Sequence, residues 1–187
     1  MRLRVCSALV LLLAGCLDHE LAPDAEGEPG SSGSSIFIAQ QRDFADFEDW
    51  MPFEIEVEAE HTSVKGKITE YLSQMPAPNS DRFPVGTMIA KTVETDAGVA
   101  PEIHAMAKRG GSFNAKGAQG WEFFELKKDK DGTPVIVWRG AKPPDGERYK
   151  NLLDPNATRM EVDCNGCHAD TANDAVLSDE LSLRHLP

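Results

Sequence analysis

Three stretches of the chain alternate between apolar and polar residues, the pattern of a strand with one wet face. At 53–57, the apolar residues Phe53, Ile55 and Val57 alternate with glutamates. Residues 64–72 can continue the same sheet, and a proline-rich break follows. A Phe-Pro-Val-Gly-Thr turn then leads into 88–93. The pattern therefore predicts three strands in the first half of the chain.

Two further strands are predicted at 121–126 and 134–138, where aromatic and β-branched residues are concentrated. A Lys-Asp-Gly-Thr stretch at 130–133 separates them, and an Asp-Gly pair between apolar runs is a strong hairpin signal. Strand-like runs dominate the chain. This argues against a bundle of long heptad-like helices.

Helical spacing is confined to short segments. Apolar residues in 44–51 recur at helical intervals before Pro52, which predicts a short amphipathic helix ended by that proline. Residues 101–109 have proline in the first turn, basic residues in the last and glycine after it, so both ends favour a helix. The acidic tail after Ala172 can form one more. The fold class predicted is α+β and β-rich: an antiparallel β-sheet with a few short helices.

The N-terminus has the pattern of a bacterial export signal. Two arginines precede an apolar run at 8–13, and small residues lead directly to Cys16. This predicts a signal peptide over 1–15 and a lipidated cysteine at position 16. The apolar run is too short to be a permanent bilayer span. The alternative is an ordinary signal peptide in which Cys16 has no role.

Residues 16–35 contain the lipidated cysteine and turn to Pro, Gly, Ser and acids, a composition that predicts a flexible tether. Residues 36–187 remain for one domain. The expected location is the periplasmic side of a bacterial membrane, held by the lipid. Leu17 after the cysteine, in place of an aspartate, favours the outer membrane.

The net charge limits the classes of binding partner, and the cysteine count limits the disulfides that the chain can form. The formal net charge is −12 at pH 7, with 31 acidic against 19 basic residues, which argues against a nucleic-acid partner. Of four cysteines, Cys6 leaves with the signal and Cys16 takes lipid. The remaining two, Cys164 and Cys167, belong to one motif, so no disulfide is predicted.

That motif reads Cys-Asn-Gly-Cys-His at 164–168. Two cysteines three apart can each add to a haem vinyl group, and the adjacent histidine can ligate the iron. A structural zinc site needs a second ligand pair, and the chain has no other Cys-X-X-Cys. A thioredoxin-like pair opens a helix after an early strand, whereas this motif lies near the C-terminus. The sequence predicts haem c bound covalently through Cys164 and Cys167, with His168 as the metal ligand.

Lys91 is unusual within its predicted strand. Alternation places Ile89, Lys91 and Val93 on one face, so a lysine shares a face with two apolar residues. Burying its charge costs free energy unless the charge is lost or paired. Alternation alone favours a lysine that reaches solvent past an edge strand.

Three pieces of the chain, in this order, resemble the cytochrome P-460 family and its relatives, the β-type cytochromes c prime. The first is the turn at 83–87 leading to Lys91. The second is the Gly-Trp-Glu-Phe-Phe strand at 120–124. The third is the haem motif at 164–168 followed by Asp174.

The resemblance implies an antiparallel sheet with a few helices, usually in a homodimer, and a five-coordinate haem with an open distal face. In P-460 members a lysine after the Gly-Thr turn is covalently bonded to the porphyrin edge, and Lys91 occupies the matching position. A nitrogen bonded to the macrocycle need not bury an ammonium. The β-type relatives lack this bond and bind nitric oxide.

The resemblance also implies an activity. P-460 members oxidise hydroxylamine, pass electrons to an acceptor, and use a distal carboxylate to accept protons. The matching position here is Arg159, with Glu161 two residues on, so both are candidate catalytic residues. The alternative is a haem protein without catalysis that binds nitric oxide or transfers electrons.

Other residues are candidates for the haem surroundings. Aromatic and thioether side chains are expected to line the pocket: Trp121, Phe123, Phe124 and Met88. A sixth iron ligand, which would make the haem an electron carrier, has three histidine candidates: His61, His104 and His185. Lone histidines are more often surface or core residues.

Overall fold

Alternating side chains build a six-stranded antiparallel sheet in the part of the chain that the computed structural model describes, residues 35–55, 67–93, 101–145 and 164–187. These residues belong to one compact unit, Ser34–Pro187. The strands are β1 (Met51–Ile55), β2 (Ile68–Leu72), β3 (Met88–Val93), β4 (Glu102–Lys108), β5 (Trp121–Lys128) and β6 (Pro134–Gly140). One short helix, α1 (Cys164–His168), follows them.

The strands lie in the sheet in chain order, and each pairs antiparallel with the next. The prediction of a β-rich α+β fold with an antiparallel sheet is confirmed. The predicted hairpin joins β5 to β6. Its Gly132 has a φ of +83°, and the Asp129 carboxylate accepts the N–H groups of Asp131 and Thr133 at 2.9 and 3.0 Å.

The predicted helix at 101–109 is wrong, because this segment is strand β4. Its residues also alternate: Ile103, Ala105 and Ala107 share one face, and Met106 and Lys108 the other. Pairing on both sides, with β3 and β5, satisfies the backbone groups of β4 and decides between the two patterns.

Two segments cover the two faces of the sheet. The C-terminal segment, 164–187, packs on the face that we call the motif face, which presents Leu72, Ile89, Met106 and Phe123. The N-terminal segment, 35–50, packs on the opposite face, against these residues: Ala90, Ile103, Ala105, Phe124 and Leu126. The sheet is therefore the middle of three layers in the described part of the chain.

The helices are shorter than predicted. In 44–51, two 3-10 turns (Gln41–Phe44 and Phe47–Asp49) replace the helix, although Phe44 and Phe47 are buried as expected. Met51 and Pro52 already belong to β1. The tail after Ala172 forms turns, so the predicted final helix is wrong; its Leu181 is nevertheless fully buried.

Several predictions fall outside the described residues. These are the signal peptide, the lipidated Cys16, the tether, and the positions Val57, His61, Arg159 and Glu161. Among the described residues, no helix has the length and apolar character needed to cross a bilayer.

Candidate haem site

The helix α1 consists of the five residues of the Cys-Asn-Gly-Cys-His motif. Cys164 is buried against the motif face, Cys167 is exposed, and neither forms a disulfide. Residues three apart lie on neighbouring turns of one side of a helix, so both sulfurs can reach a single group. His168 ends the helix. The local sequence alone brings these three side chains together.

His168 is oriented by a backbone carbonyl. Its Nδ1 lies 2.7 Å from the carbonyl oxygen of Ala175, and because a carbonyl only accepts, Nδ1 carries the hydrogen. Nε2 is then the nitrogen with the free lone pair. Burial lowers the pKa of His168, the bond to Ala175 opposes this, and the positive charge of Lys91 lowers it further. A neutral imidazole with a fixed tautomer is the form that binds a metal.

The turn that presents the Ala175 carbonyl is held by Asp174. Both residues have positive φ, 49° for Asp174 and 65° for Ala175, a conformation that L-residues adopt only under constraint. The Asp174 carboxylate accepts the N–H of Phe83 at 2.9 Å and the Lys108 ammonium at 2.6 Å. Its backbone carbonyl accepts the indole N–H of Trp121 at 2.6 Å. Three strand or turn residues thus fix the loop that orients His168.

The Lys108–Asp174 ion pair is almost completely buried, with side chains 7% and 10% exposed. Burial lowers the pKa of Lys108, and Asp174 opposes that effect. The ammonium also donates to the Gln119 carbonyl at 3.1 Å and lies 5.0 Å from the centre of the Trp121 ring. No local pattern in the sequence indicates this pair, because the helix interpretation placed Lys108 in the last turn of a helix.

A second contact docks α1 on the loop before β5. The Asn165 side-chain oxygen accepts from Asn114 at 2.7 Å and from the backbone N–H of Ala118 at 3.0 Å. Its amide donates to the Asn114 oxygen at 3.0 Å. Gly117 lies so close that a Cβ there would collide with the Asn165 side chain. Asn165, a variable position of the motif, therefore anchors the helix.

The expected pocket lining divides between the two faces. Trp121 and Phe123 lie on the motif face, and the Phe123 ring centre is 5.0 Å from that of His168. Phe124 and Met88 lie on the opposite face, so they do not line a site at the motif face. The physical reason is strand alternation, which turns neighbouring residues of β5 to opposite sides.

Lys91 lies on the motif face, as alternation predicted. Its strand β3 is paired on both sides, with β2 and β4, so there is no strand edge past which the side chain can reach solvent. It is half-buried, and its charge lowers the pKa of His168. The structure brings Lys91 and His168 into one electrostatic environment.

A row of polar residues crosses the motif face at the level of Lys91. Each member is the cross-strand partner of the next, and the row runs Glu70, Lys91, His104, Glu125, Trp138. The Trp138 indole donates to the Glu125 carboxylate at 2.6 Å. The neighbouring row is apolar: Leu72, Ile89, Met106 and Phe123. The site therefore has an apolar side and a polar side.

Glu70 is a member of this row that the sequence interpretation missed. It lies between Ile68 and Leu72 in β2 as Lys91 lies between Ile89 and Val93 in β3. The alternation argument that singled out Lys91 applies equally to Glu70. A charged residue at the centre of an apolar face was the available signal.

The two described histidines that are candidates for a sixth iron ligand lie in different parts of the fold. His104 is on the motif face beside Lys91, with its Nε2 3.5 Å from Glu102. His185 is exposed in the C-terminal tail. In the described ranges no group of three or more His, Cys, Asp or Glu side chains is arranged to hold a metal ion.

A cleft of about 800 Å³ lies between a turn at 79–81 and the C-terminal tail. Asn79, Asp81, Asn173 and Arg184 are among its polar lining residues, and neither His168 nor Lys91 contributes to it. The chemistry-bearing residues do not face this cleft. We therefore locate the candidate site at α1 and the motif face.

The residues at the motif face fit a covalent haem. Two cysteines outside any disulfide and an imidazole whose Nε2 keeps its lone pair come from one helix, and aromatic and aliphatic side chains lie beside them. One buried polar atom, Oε2 of Glu70, has no hydrogen-bond partner among the described residues, which is expected where a further group belongs. No family model, curated protein or solved structure matches the chain.

Proposed function

We propose that the chain is a c-type haem protein. Cys164 and Cys167 would hold the porphyrin through thioether bonds, and His168 would ligate the iron through Nε2. The observation that carries the proposal is the bond between His168 Nδ1 and the Ala175 carbonyl, within a Cys-X-X-Cys-His helix. This bond fixes the tautomer and strengthens the ligand, the usual outer-shell arrangement of a metal-binding histidine.

Bound there, a haem would supply an iron that binds a small nitrogen compound and accepts its electrons. The chain's own residues prepare the site. Leu72, Ile89, Met106 and Phe123 exclude water from one side. Low polarity on that side strengthens the electrostatic effect of Lys91 and of the other charged groups.

The substrate class that we propose is hydroxylamine or a related small nitrogen species, with electrons passed to a redox acceptor protein. The resemblance to cytochrome P-460 supports it, together with the β-rich fold. In this proposal Lys91 is bonded to the porphyrin edge. Its position on a central strand of the motif face supports this, because an uncharged nitrogen removes the cost of a buried ammonium. Glu161 and Arg159 remain candidates for the distal group.

A non-catalytic haem protein is the second candidate function. His104 supports the electron-transfer form, because it is the cross-strand partner of Lys91 on the motif face and is a possible sixth ligand. A protein that captures nitric oxide is the other form. In either case the export signal and Cys16 support a lipoprotein on the periplasmic side of a bacterial membrane, and the resemblance supports a homodimer.

Production in cells competent for cytochrome maturation tests the proposal. We expect a coloured protein whose haem stays attached under denaturation and is lost in the variant Cys164→Ser/Cys167→Ser. A strongly red-shifted ferrous Soret band and a peptide joining Lys91 to the haem-bearing segment indicate the crosslink. Turnover of hydroxylamine with an artificial acceptor indicates the enzyme, whereas sharp low-spin bands that disappear in His104→Ala indicate the carrier. A colourless protein overturns all of these.

A further inference from the structure

Glu70 occupies the centre of β2 on the motif face. Its cross-strand neighbours are Phe53 on β1 and Lys91 on β3. Its Oε2 atom is buried and has no hydrogen-bond partner in the described ranges. A buried carboxylate oxygen without a partner is rare in folded proteins, because the lost hydration is not replaced. Oε2 of Glu70 would be satisfied by a proton on the carboxyl or by a hydrogen-bond donor from a further group.

The groups that face Glu70 have opposing effects on its pKa. Burial beside Phe53 raises the pKa of Glu70, and this effect is the largest. Hydrogen bonding with the Ser178 side chain and the charge of Lys91 lower it, and the Glu180 carboxylate raises it. The one hydrogen of the Ser178 hydroxyl is donated to Glu180 at 3.0 Å. Lys91 is the cation that the structure describes as acting on Glu70.

We infer that Glu70 is a proton-exchanging carboxyl of the haem site and that the charge on Lys91 decides whether it holds a proton. The inference rests on the proposed function and deepens it. While Lys91 is an ammonium, Glu70 is favoured as a carboxylate. When the Lys91 nitrogen is uncharged, as in a bond to the porphyrin, Glu70 loses its counter-ion and takes up a proton from water.

This gives the site an acid–base group within its described residues. While Lys91 keeps its charge, the Glu70 carboxylate accepts a proton from an N–H or O–H of a small guest, becomes neutral, and returns the proton to solvent. When Lys91 is bonded to the porphyrin, the same cycle runs only above the higher pH at which Glu70 loses its proton. The electrons of the oxidised guest go to the acceptor named above. General-base assistance of this kind is commonly worth about 10²- to 10⁴-fold in rate. Glu70 supplies it from the sheet, independently of the segment that contains Glu161.

Infrared pH titration of the haem-loaded protein tests the inference. The C=O band of a protonated carboxyl is followed in two variants that both prevent the crosslink, Lys91→Arg with the charge kept and Lys91→Met with the charge removed. The band should persist to higher pH in Lys91→Met, with a midpoint about one pH unit above that of Lys91→Arg. Wild-type protein should resemble Lys91→Met if the crosslink is present and Lys91→Arg if it is not.

Glu70→Gln assigns the band to Glu70, because the band must disappear in this variant. If Glu70→Gln does not fold, Glu70→Asp takes its place, and the band must then move to another frequency. Lys116→Met removes an exposed lysine and should leave the titration unchanged. Two results overturn the inference while the haem proposal stands. One is an equal titration midpoint in the two Lys91 variants, and the other is a band that stays unchanged in both Glu70 variants. A protein without covalent haem overturns the haem proposal first and the inference with it.

Discussion

At the scale of single residues, Asp174 shows how a side chain outside the motif controls the motif. One carboxylate accepts a backbone N–H and an ammonium, and its own carbonyl accepts an indole N–H. The next residue, Ala175, then presents its carbonyl to His168. His168 could be proposed as a ligand from the sequence because it directly follows the two cysteines of its motif. The sequence did not identify Lys108 as the partner of Asp174, because that contact joins residues 66 apart.

The buried Lys108–Asp174 pair leads to a stability prediction. Asp174→Ala leaves a buried ammonium without its counter-ion and should lower the free energy of unfolding by about 3–5 kcal/mol. Urea denaturation measures this. The exposed pair Lys128–Glu48 is the matched control, and Glu48→Ala should change stability by about 1 kcal/mol or less. Equal effects of the two variants would contradict a special role for the buried pair.

At the scale of elements, strand β4 shows where prediction of secondary structure from the sequence fails. Residues 53–55, 88–93 and the β5–β6 hairpin were predicted as strands because alternation and turn residues agree there. In β4, proline, basic residues and glycine at helix-like positions favour a helix, although Ile103 and Ala105 have the two-residue spacing of one strand face. The contacts that decided the outcome, with β3 and β5, are set by register and are not visible in one segment.

Docking of α1 on the loop before β5 depends on Gly117. Gly117→Ala brings a methyl group against the Asn165 side chain and should cost about 1–3 kcal/mol of stability and reduce the yield of haem-loaded protein. Gly166→Ala, in the same motif, is the control. A Cβ at Gly166 meets no atom within 4 Å, and alanine favours the helix by up to about 1 kcal/mol. Full haem loading of both variants would exclude a role for this contact.

At the scale of the whole molecule, the described chain is a sheet with a different segment on each face. The β-rich class could be predicted, because it is a sum of local patterns. The assignment of 35–50 to one face and 164–187 to the other could not, because it depends on which apolar surfaces meet in space. The same limit applies to Glu70 and Lys91, whose neighbourhood follows from the register of β2 with β3.

The two covering segments allow effects on stability to be distinguished from effects on the proposed haem site. Leu181→Ala on the motif face and Phe44→Ala on the opposite face each remove a fully buried side chain, and each should cost about 2–5 kcal/mol. Only Leu181→Ala should also change the absorption spectrum and the haem loading, because Leu181 packs in the cluster that contains Cys164. Thermal unfolding and visible spectra of the two variants check this. A spectrum changed equally by Phe44→Ala would show that the faces are not independent.

The meander order of the strands has a consequence for the time course of folding. Each strand of the described sheet hydrogen-bonds to its nearest strand along the chain, and such nearest-neighbour topologies fold rapidly because little loop-closure entropy is lost at each step. The cysteine-bearing helix comes after the last strand. The apolar platform on which it packs can therefore assemble as the polypeptide emerges, while the two thiols are still accessible to the machinery that would join them to a porphyrin.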